Sequence, residues 1–193
     1  MKKTLFTLFS LLFLAACSST PPERQDFLIE ATRSGASLPA RFSELQVNEL
    51  RSHPPYRDLS MVYRESAQRF VADPYHGFLS TPSSQITQQT RQWLASSGLF
   101  SRVYPTGSNL IAPWQLEGEL LAMYIDVSMP HAPKTVIKAQ YLLSHNGKSA
   151  SFLLSAEHAL PNAKAETAAQ GYQETLRMLL IQLEQHLISS NVH

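Results

Sequence analysis

Apolar and polar residues alternate along much of residues 26–160, and in two places the alternation gives way to a helical period. "DFLIEAT", Asp26 to Thr32, reads as a short strand, followed by the loop "RSGASLPAR". Phe42 to Leu50 alternates, with Leu45, Val47 and Glu49 on one face and Glu44, Gln46 and Asn48 on the other. The two prolines of "RSHPPYRD" stop it, since proline has no N–H to give a ladder. "LSMVYRES" predicts a further strand with Met61 and Tyr63 on one face, and "AQRFVA" a short fourth one. Arg69 and the pair Asp73-Pro74 read as surface and loop-forming residues.

After Ser80 the period changes. Ile86, Thr90, Trp93, Leu94 and Ser97 fall at helical spacing, and Gln85, Gln88, Arg91 and Gln92 occupy the polar face. Thr81 is placed to cap this helix, Pro82 suits its first turn, and Gly98 can end it in the left-handed conformation. The prediction is a helix over 82–97. Strand pattern returns in "LFSRVY", and "PTGSN" is a turn. Trp114 to Val127 then predicts a long strand that "SMPHAPK" interrupts. Thr135–His145 and Ser149–Leu160 predict a hairpin, because Asn146-Gly147 supplies the positive φ angles of a tight turn. Asn162 is expected to cap a last helix from Ala163 to about Leu187. Its apolar stripe runs through Ala165, Ala169, Tyr172, Leu176, Leu179, Leu180, Leu183 and Leu187. At 1.5 Å per residue this helix is roughly 37 Å long, enough to cover one sheet face. The fold class that follows is α+β: a mainly antiparallel sheet with two helices packed on one face, in a single domain.

The N-terminus has another character. Met1-Lys2-Lys3 precedes an almost wholly apolar run to Ala16. A run of about a dozen residues is short of the roughly 20 a bilayer core requires, and it has the form of a signal peptide. Leu14-Ala15-Ala16-Cys17 resembles the lipobox of bacterial lipoproteins. That resemblance implies cleavage before Cys17, a diacylglyceryl group on its sulfur and acylation of the new amine. Ser18 in place of aspartate implies sorting to the outer membrane by enterobacterial-type rules. Cys17 is the only cysteine, so a disulfide within the chain is excluded. The organisation expected is a signal peptide at 1–16, a lipidated cysteine and tether at 17–25, and a folded domain at 26–190. "SSTPPERQ" has no apolar period, and its eight residues extend to roughly 30 Å. Without Lys2 and Lys3 the 16 basic residues become 14, against 15 acidic, a net charge of −1. This is neither the balance of a nucleic-acid binder nor a polybasic membrane surface.

Catalytic motifs are missing. The sequence has no GxSxG, HExxH, P-loop or GxGxxG. The seven histidines include no ligand-spaced pair, and His145 and His158 oppose each other only if the hairpin register slips. Glu117 and Glu119 share a strand face, where a carboxylate pair can do acid–base work or simply emerge into water. No enzyme activity, metal or cofactor is expected. One stretch stands out: "LLAMYI" is apolar on both strand faces. Either the strand is covered twice, or Leu120, Leu121, Met123, Tyr124 and Ile125 include an interface for a partner or a lipid.

A family resemblance runs through the middle of the chain. It is carried by Phe78-Leu79, Pro82, Ile86-Thr87, Thr90-Arg91, Trp93-Leu94 and Ser97-Gly98-Leu99-Phe100. Leu116-Glu117-Gly118, Tyr124, Asp126 and Ala132-Pro133-Lys134 continue it, with "VYRE" at Val62–Glu65 upstream. These residues resemble the ABC-type transport auxiliary lipoprotein component family, which includes paraquat-inducible lipoproteins associated with MCE transport systems. The resemblance implies an outer-membrane lipoprotein facing the periplasm, beside an MCE-domain protein and an ABC ATPase and permease. It implies lipid transport between membranes, the capacity to form homo-oligomers, and no catalytic residues. The other reading of the same features is a stand-alone lipid- or peptide-binding lipoprotein of envelope assembly.

Overall fold

The computed structural model describes residues 23–105 and 107–190. Cys17 and the tether up to residue 22 lie outside the described residues. Along the chain come β1 (Gln25–Phe27), β2 (Phe42–Val47), β3 (Arg51–Ser52), β4 (Ser60–Arg64) and β5 (Phe70–Phe78). They are followed by α1 (Pro82–Ser97), β6 (Phe100–Tyr104), β7 (Trp114–Asp126), β8 (Lys134–His145), β9 (Lys148–Ala159) and α2 (Ala165–Ser189). The class is α+β, one domain built on one sheet, with both helices on the same face.

β7 is the spine of the sheet. One of its edges is taken by β8, antiparallel from Trp114 opposite His145 to Asp126 opposite Lys134. The other edge is shared by three short strands in succession, all parallel to β7. β2 sets Leu45–Val47 against Trp114–Leu116, β3 sets Arg51 and Ser52 against Glu119 and Leu120, and β4 sets Tyr63 and Arg64 against Ile125 and Asp126. They behave as one strand interrupted at Pro54-Pro55, where no N–H is available for pairing. β9 extends the sheet beyond β8, β6 lies outside β2, and β5 then β1 lie outside β4. The long β7–β8–β9 ladder is antiparallel, and parallel pairs are confined to the short strands. The hairpin turn has positive φ at both Asn146 (48°) and Gly147 (77°), as its sequence requires.

α1 ends as its sequence predicts: Thr81 accepts from the Ser84 N–H, and Gly98 adopts φ 77°. Its polar face differs from expectation. Gln85 and Gln89 are buried, because residues 28–41 leave the sheet after β1 and lie along α1 as a strap. The side-chain oxygen of Gln85 accepts from the Ile29 N–H at 2.7 Å, and that of Gln89 accepts from the Ala31 N–H at 3.0 Å. The strand expected over Asp26–Thr32 is therefore short, and its continuation bonds to helix side chains instead of a neighbouring strand. Further along the strap, Arg33 forms a two-toothed ion pair with Glu184 of α2, both distances 2.9 Å, and Trp93 donates to the same carboxylate at 2.7 Å. The Arg33 hydrogen bond is the main reason the Glu184 carboxyl titrates below its usual range.

α2 begins at Ala165, two residues later than expected. Asn162 accepts from the Lys164 N–H in a turn ahead of the helix and does not cap it. All eight residues of its expected stripe are buried. A fully buried leucine contributes about 1.5–3 kcal/mol and a typical hydrogen bond about 1 kcal/mol, so the stripe decides how α2 docks. One buried polar contact refines the fit: the hydroxyls of Thr135 and Thr175 lie 2.6 Å apart beneath the helix.

β5 is longer than expected and runs through Asp73-Pro74, which the sequence reading placed in a loop. The register with β4 jumps from Ser60–Gly77 to Val62–Ala72, so four residues of β5, 73–76, bulge out of the ladder. Asp73 holds the bulge by accepting from the N–H groups of Tyr75 and His76 and by pairing with the His76 ring.

Gly98 offers a direct test. A Cβ there would strike Ser37 and the backbone of Leu38, and the φ angle itself disfavours a side chain. Gly98→Ala is expected to lower unfolding stability by more than about 1 kcal/mol. The measurement is the urea midpoint by circular dichroism, and an unchanged midpoint contradicts the strap packing.

Candidate interaction surface

The face of the sheet away from the helices is decided by one irregularity in β7. Leu120 stands opposite Ala139 and Ala122 opposite Lys138, so Leu121 is an extra residue without a partner. A bulge of one residue reverses the side-chain alternation beyond it. Before the bulge Leu116 and Leu120 point to the helix-covered core; after it Met123 and Ile125 do. Ala122 and Tyr124 are turned to the other face, where they pack with Val62 and Val136. This explains why "LLAMYI" is apolar on both sides. Of the five residues marked by sequence, Leu120, Met123 and Ile125 are core, Tyr124 belongs to the smaller cluster, and Leu121 stays 38% exposed.

The smaller cluster is the base of an aromatic and charged patch. Tyr56 stacks near Tyr124 at 6.4 Å between ring centroids, and Phe70 meets Tyr124 edge-on at 5.6 Å. The Arg64 guanidinium lies over the Tyr124 ring at 5.6 Å, within cation–π range. It also donates to the Tyr124 hydroxyl at 3.2 Å and to Asp126 at 3.4 Å. The other Asp126 oxygen accepts from the Ser128 N–H and hydroxyl at 3.0 and 2.6 Å. Burial pushes the Asp126 carboxyl up. The two Ser128 hydrogen bonds and the charges of Arg64 and Lys134 outweigh burial and hold it below its usual range. Lys134 in turn pairs with Glu157 on β9. Arg64 and Asp126 meet because β4 and β7 are parallel and directly paired, which no local pattern in the sequence encodes.

The remaining candidates fall elsewhere. Glu117 and Glu119 do share the outer face, beside a shallow cleft of about 230 Å³ with Arg51, Gln140 and Leu142. The His53 ring lies 3.3 Å from Glu119. His145 stands opposite Lys148 and stacks on Trp114 at 4.2 Å, whereas His158 stands opposite Thr135, so the two are not partners. Among the described residues no group of His, Cys, Asp and Glu could hold a metal ion. No described helix is long and apolar enough to cross a membrane.

Comparison with known proteins adds the anchor and the fold. Residues 1–18 match the prokaryotic membrane lipoprotein lipid attachment site. The chain is thus a lipid-anchored, membrane-associated lipoprotein. No curated protein matches the chain. Among solved structures, the fold is similar to a DUF330 protein from Xanthomonas campestris, with TM-score 0.71 and 14% identity over 83% of this chain and 95% of that one. An uncharacterized protein aligns with TM-score 0.66 and 14% identity over 83% and 99%. A hypothetical protein from Chlamydia trachomatis aligns with TM-score 0.51 and 10% identity over 77% and 99%. At these identities the likeness is one of fold.

The depressed Asp126 carboxyl contributes stability that is present above the unfolded-state value of about 3.9 and lost as the pH falls through the lower folded-state value. Asp126→Asn is expected to cost about 1–2 kcal/mol near neutral pH. The difference from the parent should close in acid. Urea midpoints of both chains across that range check it, and a gap independent of pH contradicts it.

Proposed function

We propose that this lipoprotein is anchored in the outer membrane, faces the periplasm and serves as a non-catalytic accessory of an ABC/MCE-type lipid transport system. Cys17 is the residue that carries the lipid in this reading, and residues 1–16 are its signal peptide. The observation that carries the proposal is a lipid attachment site joined, through a short tether, to a domain whose surface patch is built for contact. The buried Tyr124 and Asp126 hold the part-exposed Arg64 there, beside Tyr56 and Phe70. Such an array fits protein recognition, in which aromatic residues and arginine contribute most of the affinity.

The residues that carry the family resemblance support the same reading by how they divide. Pro82, Ile86, Trp93, Leu94, Gly98, Leu99 and Phe100 are used by α1 and the core. Thr87 accepts from the Leu50 N–H, and Thr90 bonds to the buried Tyr141 hydroxyl. Arg64, Tyr124, Asp126 and Lys134 gather on the helix-free face. The partners proposed are the MCE-domain protein and the ATPase and permease of the transporter.

Cys17→Ala is expected to move the protein from the membrane fraction to the soluble envelope fraction. Affinity capture of the parent in mild detergent should recover MCE and ABC components, and Arg64→Glu combined with Tyr124→Ala should reduce that recovery several-fold. Capture of no transporter component, with stoichiometric lipid in the purified protein, would favour the stand-alone carrier instead.

A further inference from the structure

We infer that the β1–β5 edge of the sheet lies against the bilayer that holds the lipid anchor, so that the domain is docked on the membrane surface and does not hang free from its tether. The inference rests on the anchor at Cys17 proposed above and is independent of the transport role.

The length of the tether and the place where it enters the fold supply the first argument. From Cys17 to Gln25 there are eight residues, which extend to at most roughly 28 Å. The chain joins the sheet at Gln25, in the outermost strand on that side. Gln25 pairs with His76, Gly77 with Ser60, and Tyr63 with Ile125, so Gln25 is level with about Met123 of β7. The Trp114 end of β7 is then about nine residues, or about 30 Å, further off. Even fully stretched the tether barely matches that distance, so the β1–β5 edge is the part of the domain it holds nearer the lipid.

The second argument is what this edge exposes. Six of the thirteen large apolar side chains that are more than a third exposed among the described residues lie in or beside β1, β5 and the start of β4. They are Leu28, Leu59, Phe70, Val71, Tyr75 and Leu79. Phe27 and Phe78 are paired and turned to the core, and Leu28 and Leu79, the residues that follow just beyond the ends of β1 and β5, are exposed side by side. They are 52% and 60% exposed. The Leu79 N–H donates to the Phe27 carbonyl and keeps the two segments together. Leucines beside Tyr75 match the composition of segments that settle at the headgroup boundary. A soluble partner is not needed to cover them, because the anchor already brings a bilayer within reach.

The test uses the full lipidated chain on vesicles of phosphatidylethanolamine and phosphatidylglycerol that contain a photoreactive phospholipid. Should Cys17 carry no lipid, its thiol is coupled to a maleimide headgroup in the same vesicles. Co-flotation reports the anchor, and mass-spectrometric mapping of lipid adducts reports the orientation, so the two failures are distinguishable. Adducts are expected on the peptides holding Leu28, Tyr75 and Leu79, several-fold above those on the peptide holding Ile111. Ile111 is the control because it is 92% exposed at the far end. Leu28→Ser with Leu79→Ser should lower the adduct yield several-fold without loss of co-flotation. Equal labelling of both ends, preferential labelling at Ile111, or no adducts on residues 23–80 would each overturn the inference.

Discussion

A thirteen-residue strand inside a sheet must satisfy its backbone N–H and C=O groups on two edges, and β7 is that strand. One edge is met by a single partner of matching length, β8, which a tight hairpin then joins to β9. The other edge is met piecemeal by β2, β3 and β4. That piecemeal solution places β6 at one end of the sheet and β5 with β1 at the other. The two ends therefore differ. The end near Asp126 receives the chain from the anchor, and the end near Trp114 carries the loop with Leu110 and Ile111.

The bulge at Leu121 is the second consequence of β7. It lets one strand feed two apolar clusters on opposite faces without a break in the chain. The larger cluster takes the helices. The smaller one gives the outer face a firm base on which Tyr56, Phe70 and Arg64 rest against Tyr124. An array held this way would lose little ordering entropy on binding, which suits the recognition role proposed for it.

Polar side chains inside this domain mostly tie elements together. Gln85 and Gln89 give the strap backbone the acceptors that a neighbouring strand would otherwise supply. Glu184 links α2 to Arg33 on the strap and to Trp93 on α1. Buried N–H groups left unpaired would cost about 1–3 kcal/mol each, so the strap that follows the tether is fastened to both helices.

The sequence by itself determined the elements that local periodicity and turn chemistry specify. These are α1 with Thr81 and Gly98 at its ends, the Asn146-Gly147 hairpin, the stripe of α2, the long strand at 114–126 and the lipid attachment site. Each depends on residues within a few turns of one another. The tertiary structure alone decided the rest. That β2, β3 and β4 run parallel to one strand depends on pairing across 62 to 69 residues of chain, which leaves no local period. The burial of Gln85 depends on a strap from 56 residues upstream, and Asn162 accepts from Lys164 in a turn ahead of α2 instead of capping it. The two-faced "LLAMYI" was legible as an anomaly, but only the ladder with β8 revealed the bulge that causes it. A side chain's hydrophobicity fixes that it must be covered, and the long-range pairing of strands fixes by what.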